Sequence, residues 1–306
     1  GDPSVKGTAT IGNGLSAPTG VDSDADGYID DVYAGDLLGN VWKFNLSTNF
    51  IAKGDWVIGN GDKPLFKAVD AGGNPQPISG GINVGFNYLN DTWLFFGTGR
   101  LMTSADLTSK EVQSWYGFID KNETVTRADF VQRKIIAVET DGVGGKVIKR
   151  AFSTRTTDDM KDKKGWYIDF TYDAALGVTP SKQGERIVGI PLIRGTLLQV
   201  SSIIPSDLEC DTGGNGFVNV VDAFTGSAGY DGDDGYLDAN YNGKYSDDKI
   251  GTKNVGSIDL GVNMPTDGLI QTNGADDLLI VSGSTGGIGS IPVKATRVQG
   301  RVSWRE

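Results

Sequence analysis

Residues 22–46 read DSDADGYIDDVYAGDLLGNVWKFNL. Two signals adjoin in this stretch. Its first nine residues place aspartate at alternate positions, Asp22, Asp24 and Asp26, and continue through Gly27 and Tyr28 to Asp30. The remainder holds two short runs rich in β-branched and aromatic residues, Val32–Asp36 and Val41–Leu46, on either side of Leu37-Leu38-Gly39-Asn40. Two such runs about a glycine turn predict a β-hairpin. An acidic loop that feeds a strand, rather than a helix, belongs to a β architecture.

Working outward, comparable runs recur at Trp93–Gly99, Trp115–Asp120, Gly165–Phe170, Gly216–Asp222, Leu278–Gly283 and Arg301–Glu306. Ile187–Ile204 is a longer apolar stretch, broken at Pro191 and Gly195, and reads as two strands. Residues 1–21, rich in Gly, Thr, Ser and Pro, read as a loop or edge segment. Helix is sparse: Ser104–Gln113, with Ser104 as N-cap, and a short piece at Arg127–Arg133. Apolar runs that end in small residues, at Ala34-Gly35-Asp36, Phe96-Gly97-Thr98 and Ser282-Gly283-Ser284, form a loose repeat. The expected fold class is therefore all-β, a β-propeller of small antiparallel sheets with insertions, in one domain over residues 1–306. A two-sheet sandwich is the rival; the wide spacing of the runs favours the propeller.

Composition agrees. Glycine accounts for 45 of 306 residues, about twice the usual share and without a collagen period, as many tight turns require. The net charge of −11 and the lack of a basic face argue against a nucleic-acid partner. No apolar run is long enough to span a membrane as a helix. Gly1-Asp2-Pro3 reads as an internal start, with any export signal upstream or removed. Histidine is absent, which removes the commonest general base and transition-metal ligand. The single cysteine, Cys210, has no internal disulfide partner. It reads either as a free, partly buried thiol or as a link to a segment outside these residues.

The acidic loop carries the sharpest chemistry. D-x-D-x-D-G-x-x-D is most of an EF-hand-type calcium loop. Alternate residues of a tightly curled loop point inward, so Asp22, Asp24 and Asp26 bring carboxylates to one centre; Gly27 permits the turn, Tyr28 offers its carbonyl and Asp30 closes the set. Position 12, glutamate in an EF-hand, is Tyr33. Without a cation, clustered carboxylates repel one another. A second candidate cluster is Asp231, Asp233, Asp234 and Asp238, whose Asp-Gly-x-x-Asp ending repeats the first loop with a shortened lead; a solvated turn is the alternative. Asp247-Asp248 and Asp276-Asp277 read as surface charge.

In order along the chain, the Asp22–Asp30 loop, Val32-Tyr33-Ala34-Gly35-Asp36 and Gly39-Asn40-Val41-Trp42-Lys43-Phe44 resemble the central signature of the PilC/PilY family of type IV pilus tip proteins. Gly97-Thr98-Gly99-Arg100, Gly165-Trp166-Tyr167, Gly184-Glu185-Arg186 with Pro191, Pro205–Cys210 with Gly213-Gly214, and Ser303-Trp304-Arg305 are similar to further family motifs. The resemblance implies a modified propeller related to quinoprotein dehydrogenases. It also implies display on the cell surface with a type IV pilus, after export through the outer membrane. In such proteins calcium at the Asp-rich loop regulates pilus extension, and many members are adhesins that act in twitching motility. Partners implied are minor pilins and host or surface ligands. The family's long upstream region is missing, which implies a C-terminal portion with an incomplete ring, and an upstream fragment of the same protein as a further partner. The RGD tripeptide of some members is absent; Lys53-Gly54-Asp55 is a faint analogue that reads more simply as a hairpin turn.

A quinoprotein-like dehydrogenase is the competing function. Against any enzyme stand the lack of histidine, of a vicinal disulfide, of a nucleophile elbow and of a phosphate loop. Glu185-Arg186 reads equally as a buried ion pair or as a pair of site residues.

Overall fold

The computed structural model describes residues 12–24, 26–46, 57–207, 213–229, 234–273 and 276–294. The terminal Arg301–Glu306 run, Lys53-Gly54-Asp55 and Cys210 lie outside these. The predicted hairpin is the centre of the first sheet. β1 (Thr19–Val21), β2 (Asp31–Gly35), β3 (Asn40–Asn45) and β4 (Val57–Ile58) follow one another, and β5 (Phe66–Lys67) also pairs with β3. The β2–β3 turn is locked by Asp36, 1 % exposed. Its carboxylate accepts the N–H groups of Leu38 and Asn40, the Asn40 side-chain amide and the Trp42 indole N–H at 2.8–2.9 Å. One buried acid thus satisfies four donors and fixes the register.

The second sheet begins with β6 (Asn83–Phe86), β7 (Thr92–Gly97) and β8 (Ser114–Ile119). β9 (Phe130–Arg133) follows; β10 (Ile135–Thr140) and β11 (Val147–Phe152) then leave for the third sheet before β12 (Gly165–Asp169) returns. β12 inserts between β8, antiparallel, and β9, parallel. The third sheet adds β13 (Leu192–Arg194), β14 (Leu197–Ile204), β15 (Asn215–Asp222), β16 (Lys249–Ile250) and β17 (Lys253–Ile258), in the order β10-β11-β17-β15-β14-β13 with β16 on β17. Ile187–Ile204 does yield two strands, turned at Gly195. β18 (Leu269–Asn273), β19 (Asp276–Ser282) and β20 (Ile288–Val293) form the fourth.

Each successive pair of sheets shares one apolar cluster. Tyr33, Val41 and Phe66 of the first sheet meet Leu94, Phe96, Tyr116 and Phe118 of the second. From the opposite face of β7 and β8, Trp93, Phe95 and Trp115 meet Phe152, Leu198, Val200 and Phe217 of the third. Leu197, Val218 and Val220 then meet Leu279, Val281, Ile291 and Val293 of the fourth. Sheets buried on both faces need apolar side chains at every position, so TWLFFG reads as a continuous run rather than an alternation. Face-to-face succession of small sheets is the packing of propeller blades. The small residues at strand ends have a cause: a Cβ at Gly35 or Gly97 would lie 2.3 or 2.2 Å from Ile78 or Ile187 of the segment crossing above it.

Two helical expectations are corrected. The first helix covers only Ser104–Thr108 and is capped by Thr103, not Ser104, with Asp106 completing a capping box. It stops because Arg186 takes the carbonyls of Asp106 (2.6 Å) and Ser109 (2.8 Å), which a longer helix would use. Arg127–Arg133 is one 3₁₀ turn, Arg127–Asp129, followed by β9.

Candidate metal centre

The Asp-rich loop is the tip of the β1–β2 hairpin. Val21 pairs with Asp31, Asp30 donates its N–H to the Val21 carbonyl (2.8 Å) and Leu46 donates to the Asp30 carbonyl (2.7 Å). The acids therefore hang from three paired strands. Ligand oxygens of Asp22, Asp24 and Asp30 lie within 4.8 Å of one another, a spacing that one cation bridges.

Backbone N–H groups set these side chains. Asp22 accepts from Asp26 (3.2 Å) and Gly27 (2.8 Å), and Asp24 accepts from Asp26 (3.1 Å). Gly27 has φ +93°, a conformation that side chains resist. Asp26 lies outside the converging trio; its Oδ1 accepts the Tyr28 N–H at 2.8 Å. Tyr28 projects its ring to solvent, 54 % exposed. Asp30 accepts both the Ser23 hydroxyl and the Ser23 N–H at 2.7 Å, and these bonds hold its carboxyl below the usual value. The donor set is all oxygen and accessible from solvent, which suits a hard cation such as calcium.

The loop is tied to the second sheet through charge. Lys43 on β3 bridges Asp31 (3.2 Å) and Asp120 (2.9 Å), and the Tyr33 hydroxyl donates to Asp120 at 2.7 Å. Burial opposes the charge on Lys43, yet Asp120 and Asp31 hold its ammonium above the ordinary value. Burial, then Asp120, raise Tyr33. Position 12 of the loop is thus a neutral core phenol, not a ligand.

Of the second predicted cluster, Asp231 and Asp233 lie outside the described residues. Asp234 is exposed and paired with Lys294 at 2.9 Å, whereas Asp238 is 2 % exposed and opens the following loop. The adjacent acid pairs are not plain surface charge: Asp277 is buried against Arg194 (3.0 Å), and Asp248 is 4 % exposed. Burial and then the charge of Asp238 raise Asp248 to about 6. Glu185 and Arg186 do not pair with each other. Glu185 binds Arg150 through two bonds of 2.6 and 2.8 Å, inside a buried network with Ser202, Tyr172 and Asn219, and the guanidinium lies 3.7 Å from the Phe217 ring centre. Both ion-pair members are satisfied by protein groups, so the cluster is structural.

Comparison with known proteins agrees with this architecture. A family profile described as the PilY1 beta-propeller domain matches residues 3–143. A type IV pilus biogenesis factor PilY1 homolog of Xylella fastidiosa is 35 % identical over 97 % of the chain and 22 % of its own length. Type IV pilus biogenesis factor PilY1 of Pseudomonas aeruginosa is 26 % identical over 72 % of the chain and 21 % of its own length. The chain thus spans about a fifth of these relatives. The crystal structure of the P. aeruginosa PilY1 C-terminal domain superposes with a TM-score of 0.73 at 22 % identity, covering 96 % of this chain and 63 % of that one. With blade packing, motif order and relatives in agreement, the chain belongs to the PilC/PilY family and corresponds to its C-terminal β-propeller.

Proposed function

We propose that this chain is a calcium-binding propeller that serves type IV pilus assembly at the cell surface, supporting pilus extension, adhesion and twitching motility. The observation that carries the reading is the convergence of Asp22, Asp24 and Asp30 at the tip of the β1–β2 hairpin. Asp26 joins them through its carboxylate and Tyr28 through its carbonyl when the cation binds. The relatives are named as pilus biogenesis factors rather than enzymes, which supports a non-enzymatic role over a quinoprotein-type dehydrogenase. Among the described residues no helix is long and apolar enough to cross a membrane. Minor pilins and surface or host ligands are the partners in this reading.

Among the described residues, an apolar groove on the first sheet is lined by Val32, Phe44, Leu46, Val57 and Ile58, and in this reading it seats an upstream fragment of the same protein. Cells whose own factor is deleted and replaced by a parent protein carrying Asp24→Ala provide the test. The reading predicts loss of surface pili and twitching with normal protein levels. Full piliation by that variant would contradict it.

A further inference from the structure

Residues 238–248 read DANYNGKYSDD. The first six positions, D-x-N-x-N-G, match the first loop with two aspartates replaced by asparagine, and the backbone is wound in the same way. Asp238 accepts the N–H groups of Asn242 (3.0 Å) and Gly243 (2.9 Å), as Asp22 accepts those of Asp26 and Gly27. Asn240 Oδ1 accepts from Asn242 (3.1 Å), and Asn242 Oδ1 accepts from Lys244 (2.8 Å). Gly243 has φ +78° where Gly27 has +93°.

The side chains then diverge in an informative way. Asp247 accepts the side-chain amide N–H of Asn242 (2.8 Å) and of Asn240 (3.4 Å), which leaves both amide oxygens to the loop interior. Asp248 is bound by the backbone N–H groups of Ala239 and Asn240, the two positions whose counterparts, Ser23 and Asp24, bind Asp30. It takes the place of Asp30 from a loop two residues longer. Its Oδ2 is buried and has no hydrogen-bond partner among the described residues, with the Asp238 carboxylate nearby. A buried carboxylate oxygen left unpaired is costly, and a neighbouring acid makes it more so. A cation in the loop relieves both.

We propose that residues 238–248 form a second calcium site. Asp238 and Asp248 supply carboxylates, Asn240 and Asn242 supply side-chain oxygens, and Lys244 supplies its carbonyl. Two carboxylates in place of four make it the weaker site, since charge count tunes calcium affinity. The inference does not require the pilus reading, only an oxygen-ligated loop.

Calcium titration of chelator-stripped protein by calorimetry tests it, with Asp24→Ala present to disable the first loop. The Asp24→Ala protein is expected to bind one equivalent. Adding Asp248→Asn is expected to weaken that binding at least about tenfold, and adding Asn242→Asp instead is expected to strengthen it by a similar factor. Asn242 is exposed, so the second variant decides the matter if Asp248→Asn does not fold. An Asp24→Ala protein that binds no calcium, or affinities unmoved by both added changes, would overturn the second site. One equivalent in the parent protein, retained in Asp24→Ala, would instead remove the first loop and leave the second standing.

Discussion

The loops at residues 22–30 and 238–248 share one backbone winding and differ in how they treat charge. The first gathers its acids at the exposed tip of a hairpin, held by backbone N–H groups and one serine. The second buries Asp238 and Asp248, substitutes amides at the middle positions and leaves a buried oxygen unpaired among the described residues. An exposed cluster can lower its repulsion by hydration and loop opening. A buried pair cannot, so it is built with fewer charges. In the proposed reading the winding is a scaffold, and ligand charge and burial set how tightly it holds a cation.

The largest effect expected from breaking this comparison is at Asp24. Asp24→Ala removes a converging carboxylate and should weaken calcium binding at the first loop by about a hundredfold, or roughly 2.7 kcal/mol. Glu139→Gln, on an exposed strand edge, should change nothing. Calorimetric titration of the two variants checks this, and equal losses would mean that the loop is not the site.

Next comes a carboxylate that needs no cation. Burial raises Asp106, but the N–H groups of Met102 and Thr103, the Arg100 guanidinium and the Thr103 hydroxyl draw it down to about 2. A folded pKa below the unfolded one gives stability that is complete above about pH 4 and lost as pH falls toward 2. Asp106→Asn should cost about 1–2 kcal/mol at pH 7, with or without calcium, and the cost should shrink below pH 4. Melting curves of both proteins from pH 7 to pH 3 measure it; a difference that depends on calcium, or does not change with pH, would contradict the assignment.

The smallest effect sharpens the charge argument. Asp26→Asn gives the first loop the middle residue of the second and should weaken it by about tenfold, leaving the fold unchanged. A fall as large as that of Asp24→Ala would place Asp26 among the converging ligands before the cation arrives.

Much of this was legible in the sequence. β7, β8, β12, β14 and β15 stand where their apolar runs predict, because sheets buried on both faces leave an unmistakable trace. The Asp22–Asp30 loop was legible because charge and spacing coincide. The second loop is hidden in the sequence because asparagine at the middle positions carries no charge signal, and its closing acid lies two residues late. Asp247-Asp248 looked like surface charge because adjacency does not say which side chain turns inward. The insertion of β12 beside β9, and of β17 between β11 and β15, depends on pairing across long separations, which no local pattern encodes. The helix from Ser104 is shorter than its sequence suggests because Arg186, distant in sequence, takes the carbonyls that would continue it.

The central claim is that calcium acts locally, by fixing loops that hang from paired strands. Calcium that binds only the folded form adds about 2.7 kcal/mol at a hundredfold excess over its dissociation constant. The first loop lacks the flanking helix through which an EF-hand opens. Hydrogen exchange of the intact chain, in calcium and in chelator, tests this most directly. The account predicts slower exchange for β1 to β3 with the loop between them, and for residues 234–258, while β7, β8, β12 and β14 stay as they were. Protection spread evenly over all four sheets, or none in residues 19–46, would contradict it.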